Sequence, residues 1–150
     1  YTASAPAIAK AMGNLQSHVT SNPNSMAQHA SVAALIGPQD ELHAMVKEFD
    51  ERRQIMVKMI NEVPGLSCRT TKGAFYVMVN ISSAFGKSYE GKQLTGSLDF
   101  CSALLEGEKV AIVPGIAFEA DDFCRMSYAT SKENIVNGIN RLASFVAKLK

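Results

Sequence analysis

From Pro38 to Val63 the sequence keeps one period without a break. Leu42, Met45, Val46, Phe49, Met56, Met59, Ile60 and Val63 fall on a single stripe, interrupted only by Arg52 and Arg53. Apolar residues recurring every three to four positions mark one face of an α-helix. Asp40 and Glu41 suit its positive end, Glu48 and Arg52 form an i,i+4 pair, and Pro64-Gly65 ends it. At about 1.5 Å per residue such a helix runs about 39 Å, longer than one small compact domain usually needs. It therefore predicts two bodies joined by a connector, although core packing of one face would explain the stripe equally well. The methionines on it read as core filler.

The flanks agree with that division. Residues 5–19 predict a helix, with Ser4 as cap, Pro6 in the first turn and Ile8, Met12, Leu15 and Val19 at helical spacing. A polar cluster, Thr20 to Ser25, leads into a second predicted helix at 25–36, rich in alanine and stopped by Gly37-Pro38. Beyond the connector, Leu66–Arg69 and Ala74–Ile81 predict strands, and 82–96, polar and glycine-containing, a loop with room for local turns. Ser97 is expected to cap a helix through Leu105, with Gly107 past its end. Val110–Val113 and Cys124–Ala129 predict two more strands. Thr130 to Glu133 reads as a capping box opening a last helix, with Ile135, Ile139, Leu142, Val146 and Leu149 on its stripe. The expected architecture is two small-residue helices, a long connecting helix and an α+β unit over about 64–150.

Composition narrows the partners. A formal charge of +1 gives no electrostatic case for nucleic acid or an anionic membrane. No apolar run approaches the roughly 18 residues of a membrane span. Cys68, Cys101 and Cys124 lie among apolar residues and read as buried thiols in a reducing compartment. His18, His29 and His43 have no metal-ligand spacing, so no metal is expected. There is no Gly-x-Ser-x-Gly elbow, phosphate loop or dinucleotide fingerprint. Asp121 and Asp122 are neighbours in sequence and would not converge on one bond, so no catalytic role is assigned to them.

Arg125 stands out. In an extended run its side chain shares a face with Ser127 and Ala129, while Cys124, Met126 and Tyr128 take the core face. Val113-Pro114-Gly115 and Phe118 come just before it. A partly desolvated guanidinium needs an anion, and a carboxylate matches its fork. Gly73-Ala74-Phe75-Tyr76 is the second feature: small residues permit close backbone approach while a ring lines the site.

The order of these motifs resembles the C-terminal part of class I pyridoxal-phosphate-dependent aminotransferases, near the aspartate aminotransferase group. The resemblance is carried by Thr20-Ser21-Asn22-Pro23, Ala27-Gln28-His29-Ala30, Ala33-Ala34-Leu35 and Phe49-Asp50-Glu51-Arg52-Arg53. It continues through Gly73-Ala74-Phe75-Tyr76, Val113-Pro114-Gly115-Ile116-Ala117-Phe118 and Arg125 to Ser131. It implies an α/β parent of fold type I. Residues 1–37 would be the tail of the large cofactor domain, 38–63 the interdomain helix and 64–150 the small α+β domain. Arg125 looks like the family arginine that grips the substrate α-carboxylate, and Phe75 like the aromatic over the substrate. Ser21 and Asn22 match the loop that approaches the cofactor across a dimer interface.

The same resemblance implies a cytoplasmic homodimer acting on amino acids and 2-oxo acids with pyridoxal 5'-phosphate. Tyr1 looks like the tyrosine that follows the Schiff-base lysine segment, so that lysine is expected before this chain, which alone would be inactive. None of its own lysines sits in a matching motif, and no catalytic residue is assigned here. Two alternatives remain open: another fold type I activity, such as a β-lyase or synthase, or a non-catalytic α+β module that binds an anion through Arg125.

Overall fold

The computed structural model describes residues 2–150; the reading of Tyr1 lies outside the described residues. The chain divides into two compact units, up to Glu41 and from Leu42 to Lys150.

The first unit holds α1 (Pro6–Val19) and α2 (Ser25–Ile36). Pro6 opens α1 at a position where its missing N–H is not needed. Ser4 does not cap it: the N-cap residue is Ala5, with no side-chain cap. Asn24 caps α2, its Oδ1 accepting from the amides of Met26 (2.9 Å) and Ala27 (3.3 Å). Neither helix has a buried residue.

In the second unit, α3 (Asp40–Glu62, counted from Leu42) uses only part of its stripe. Met56, Ile60 and the following Val63 are buried, while Leu42, Met45 and Val46 stay exposed. A four-stranded antiparallel sheet has the spatial order β1 (Ser67–Cys68), β2 (Tyr76–Asn80), β6 (Phe123–Ser127), β5 (Val113–Pro114). The predicted strands at 66–69, 74–81 and 124–129 are present in shorter form. Of the strand expected at 110–113 only Val113 pairs, followed by Pro114 on an edge, where a missing N–H costs the ladder nothing.

The segment 82–96 is not a bare loop. It contains a 3₁₀ turn (Ser82–Ala84) and a hairpin of β3 (Ser88–Tyr89) and β4 (Lys92–Gln93). Glu90 and Gly91 both have positive φ, as a two-residue primed turn requires. Tyr89 from this hairpin packs on Phe145 with ring centroids 4.8 Å apart.

Two helices cover the sheet, α4 (Ser97–Glu108) and α5 (Lys132–Ala147). Both begin differently from expectation. Ser97 is the first residue of α4 and not its cap, and Gly107 lies inside the helix. The cap of α5 is Ser131, whose hydroxyl accepts from the Asn134 amide at 3.1 Å. Thr130 instead accepts from the Asn134 side chain at 3.0 Å. The core joins Val77, Val79, Cys124 and Met126 of the sheet to Phe100 and Leu104 of α4 and Ile139, Leu142 and Phe145 of α5. Among the described residues no helix is long and apolar enough to cross a membrane. Among the described residues no His, Cys, Asp or Glu cluster could hold a metal ion.

Candidate functional site

Register decides which side chains meet on the sheet. Arg125 lies opposite Met78 on β2 and Val113 on β5, while Tyr76 faces Ser127 and Asn80 faces Phe123. Directly paired residues share a face. The intervening Val77, Val79, Cys124 and Met126 are buried. The alternation expected for 124–129 is therefore the one observed, and Arg125 stands on the open face, half-buried.

Two rings hold its guanidinium. The Arg125 Cζ lies 5.0 Å from the centroid of Tyr76 and 4.7 Å from that of Phe118, within the reach of a cation–π contact. Among the described residues it makes no ion pair and no side-chain hydrogen bond. Of the acidic side chains near it in sequence, Asp121 is committed elsewhere. Asp121 accepts from the Ser97 amide at 2.9 Å and from its hydroxyl at 2.6 Å. Those hydrogen bonds hold the Asp121 carboxyl below the usual carboxylate range.

The same contact explains how Phe118 is placed. Ser97 is fully buried, and its hydroxyl accepts from the Ile116 amide at 3.1 Å. Asp121 thus takes the capping role at the start of α4 and pins the 3₁₀ turn Gly115–Phe118. A Cβ on Gly115 would run into the carbonyls of Ala120 and Phe123, so no other residue fits that corner. Asp121 was assigned no catalytic role on sequence grounds; its structural role was hidden because its partners lie 24 positions away.

Phe75 is 52% exposed and packs edge-on against Tyr76, centroids 5.6 Å apart. Its backbone is tied to β6: its carbonyl accepts from the Tyr128 amide at 2.8 Å, and the Tyr128 hydroxyl donates to the Ala74 carbonyl at 2.8 Å. Ala74 has φ +60°, a left-handed bend that a small residue tolerates better than a large one. Phe75 and Arg125 are thus gathered by β2 and β6, with Tyr76 between them in sequence and Phe118 beyond. Phe118 is read beside Arg125 from the sequence; Tyr76 is quoted only in the Gly73–Tyr76 motif, and its place against Arg125 follows from the β2–β6 register.

Ser21 and Asn22 belong to the first unit. Ser21 has φ +59° and its hydroxyl lies 3.5 Å from the Ser17 carbonyl. The Asn22 amide donates to the Pro23 carbonyl at 2.9 Å. Both are exposed. Burial pushes the Cys101 thiol up to about 12 and raises Cys124 further, whereas Cys68, expected to be buried, is only half-buried.

Comparisons with known proteins follow the same line. The family described as Aminotransferase class I and II matches residues 1–142. The aspartate aminotransferase of Rhizobium meliloti (strain 1021) is 43% identical over 143 residues, covering 95% of this chain and 35% of that protein. The aspartate/prephenate aminotransferase of Nitrosomonas europaea is 40% identical over 149 residues, covering 98% of this chain and 38% of that protein. A crystal structure of the aspartate aminotransferase from Rhizobium meliloti superposes with a TM-score of 0.88 at 42% identity, over 94% of this chain and 36% of that one. The chain thus spans little more than a third of the length of the proteins it matches.

Proposed function

The chain belongs to the class I and II aminotransferase family, and from that premise we propose that it supplies the substrate-carboxylate clamp of a pyridoxal-phosphate-dependent aminotransferase. The observation that carries this is Arg125: a cation in contact with two rings and with no ion pair or side-chain hydrogen bond among the described residues. A planar guanidinium offers two parallel N–H donors to one carboxylate. Amino acids and 2-oxo acids share that group, so one clamp serves both halves of an amino-group transfer. The relatives' names make aspartate the first substrate to try.

The residues present fit the substrate side of such a site. The open face of the sheet carries Tyr76, Met78, Asn80, Phe123, Arg125 and Ser127, and no lysine. Ser21 and Asn22 could hold a polar edge of the cofactor, since both are exposed and Asn22 Oδ1 accepts no hydrogen bond among the described residues. They could not attach it covalently. Pyridoxal phosphate, when bound, supplies the electron sink that makes the substrate Cα–H acidic. Arg125 would orient the carboxylate and so fix where that bond points, and Phe75 would cover the substrate and exclude water. The segment would have no transaminase activity by itself. In the complete protein we place residues 1–37 in the cofactor domain, 38–63 as the connector and 64–150 as the small domain of a cytoplasmic homodimer.

The test is Arg125→Lys in the complete enzyme. It keeps the charge and loses the planar fork, and kcat/KM is expected to fall by roughly 2–4 kcal/mol of transition-state stabilisation. An unchanged kcat/KM would contradict the assignment.

A further inference from the structure

We propose that Phe118 and Tyr76 are positioning residues that hold the Arg125 fork in one plane and thereby set the preference for a carboxylate; the inference rests on the clamp reading of Arg125. A guanidinium has two faces and an edge. Here two aromatic rings lie beside the guanidinium carbon, at 4.7 Å and 5.0 Å, and its N–H donors have no side-chain partner among the described residues. Stacking restrains the plane without using an N–H, whereas a protein carboxylate would hold the group equally well but occupy the fork. Holding the cation with rings leaves all its donors for the ligand.

The support of each ring points the same way. Phe118 is 44% exposed, so core burial does not account for where it sits. It is placed by the turn that Ser97 and Asp121 fix through the Ile116 amide. That turn is closed by the Ala120 amide donating to the Gly115 carbonyl at 3.0 Å. Tyr76 is placed by its strand pairing with Ser127 and by the edge of Phe75. Phe118 and Tyr76 thus come from separate elements, and a leucine at either position would keep apolar bulk while removing the ring quadrupole.

The experiment compares kcat/KM for an amino acid with kcat/KM for its carboxamide in the complete enzyme, which isolates the carboxylate. Phe118→Leu and Tyr76→Leu should each narrow the acid-to-amide ratio by about 3- to 30-fold, mainly through a higher KM for the acid. Phe118→Tyr, which keeps a ring, should hold the ratio near its original value. A loss shared equally by acid and amide, or an unchanged ratio in both leucine variants, would overturn the inference, because either marks a merely structural role. Arg125→Lys in the same assay separates the two claims. If it leaves the ratio intact, the clamp itself fails. If it collapses the ratio while the ring variants do not, only the positioning role fails.

Discussion

The two units contain similar apolar patterns and use them differently. In the first, Ile8, Met12, Leu15 and Val19 of α1 and Met26, Val32, Leu35 and Ile36 of α2 are all exposed. In the second, Ile135, Ile139 and Leu142 of α5 are buried, together with Phe145, against sheet residues and Phe100. A stripe at helical spacing shows that a helix has an apolar face; it does not say where the partner is. For the second unit the partner lies within the chain. In the first, neither helix has a buried residue. α3 shows both behaviours: its later turns are buried and its first turns exposed.

Substitutions can break that comparison. Phe145→Ala removes a fully buried ring packed on Phe100 and Tyr89 and should cost about 3–5 kcal/mol in urea unfolding. Gly115→Ala should cost about 3 kcal/mol, since the new Cβ meets two backbone carbonyls that cannot move independently. Ser97→Ala removes the hydroxyl shared by Asp121 and Ile116 and should cost about 1–2 kcal/mol. Leu15→Ala, on the stripe of α1, should change the stability of this chain by no more than about 0.5 kcal/mol. A Leu15→Ala effect as large as that of Phe145→Ala would erase the distinction between the units.

Acid should act on the second unit through Asp121. Its carboxyl is depressed by the hydrogen bonds from Ser97. A depressed folded value contributes stability that is present above the unfolded value, near ~3.9, and is lost as pH falls through the lower folded value. The urea midpoint should therefore decline below about pH 4, and Asp121→Asn should flatten that decline. A midpoint with the same acid dependence in both proteins would remove Asp121 from the account. Glu108, lowered by Lys148 just past the end of α5, titrates in the same direction and adds to the remaining slope, as do Glu48, Asp50 and Asp99.

Much of the architecture was legible because it follows local rules. The span of α2 appears at 25–36, where an Asn-capped alanine-rich run ends at Gly-Pro. The two faces of β6 follow from the two-residue repeat. Arg125 could be singled out for the same reason. Of its two rings, Phe118 was legible beside it from the Pro114-Gly115 turn, whereas Tyr76 reaches it only once β2 and β6 pair in one register. The β3–β4 hairpin was missed because its strands are two residues each with Tyr89 the one apolar side chain between them, too short for a period, leaving Glu90-Gly91 as the local signal. The caps were misplaced by a residue or supplied by a distant partner. Ser97 has the chemistry of a cap, yet Asp121 does the capping from across the fold.

The central claim is that Arg125 presents an uncommitted fork to a carboxylate. A crystal structure of the complete enzyme with a bound 2-oxo acid tests it most directly. Both carboxylate oxygens are expected about 2.7–2.9 Å from two Arg125 nitrogens, with the guanidinium still against Tyr76 and Phe118. A ligand carboxylate held elsewhere, or Arg125 paired with an acidic side chain of the protein, would contradict it.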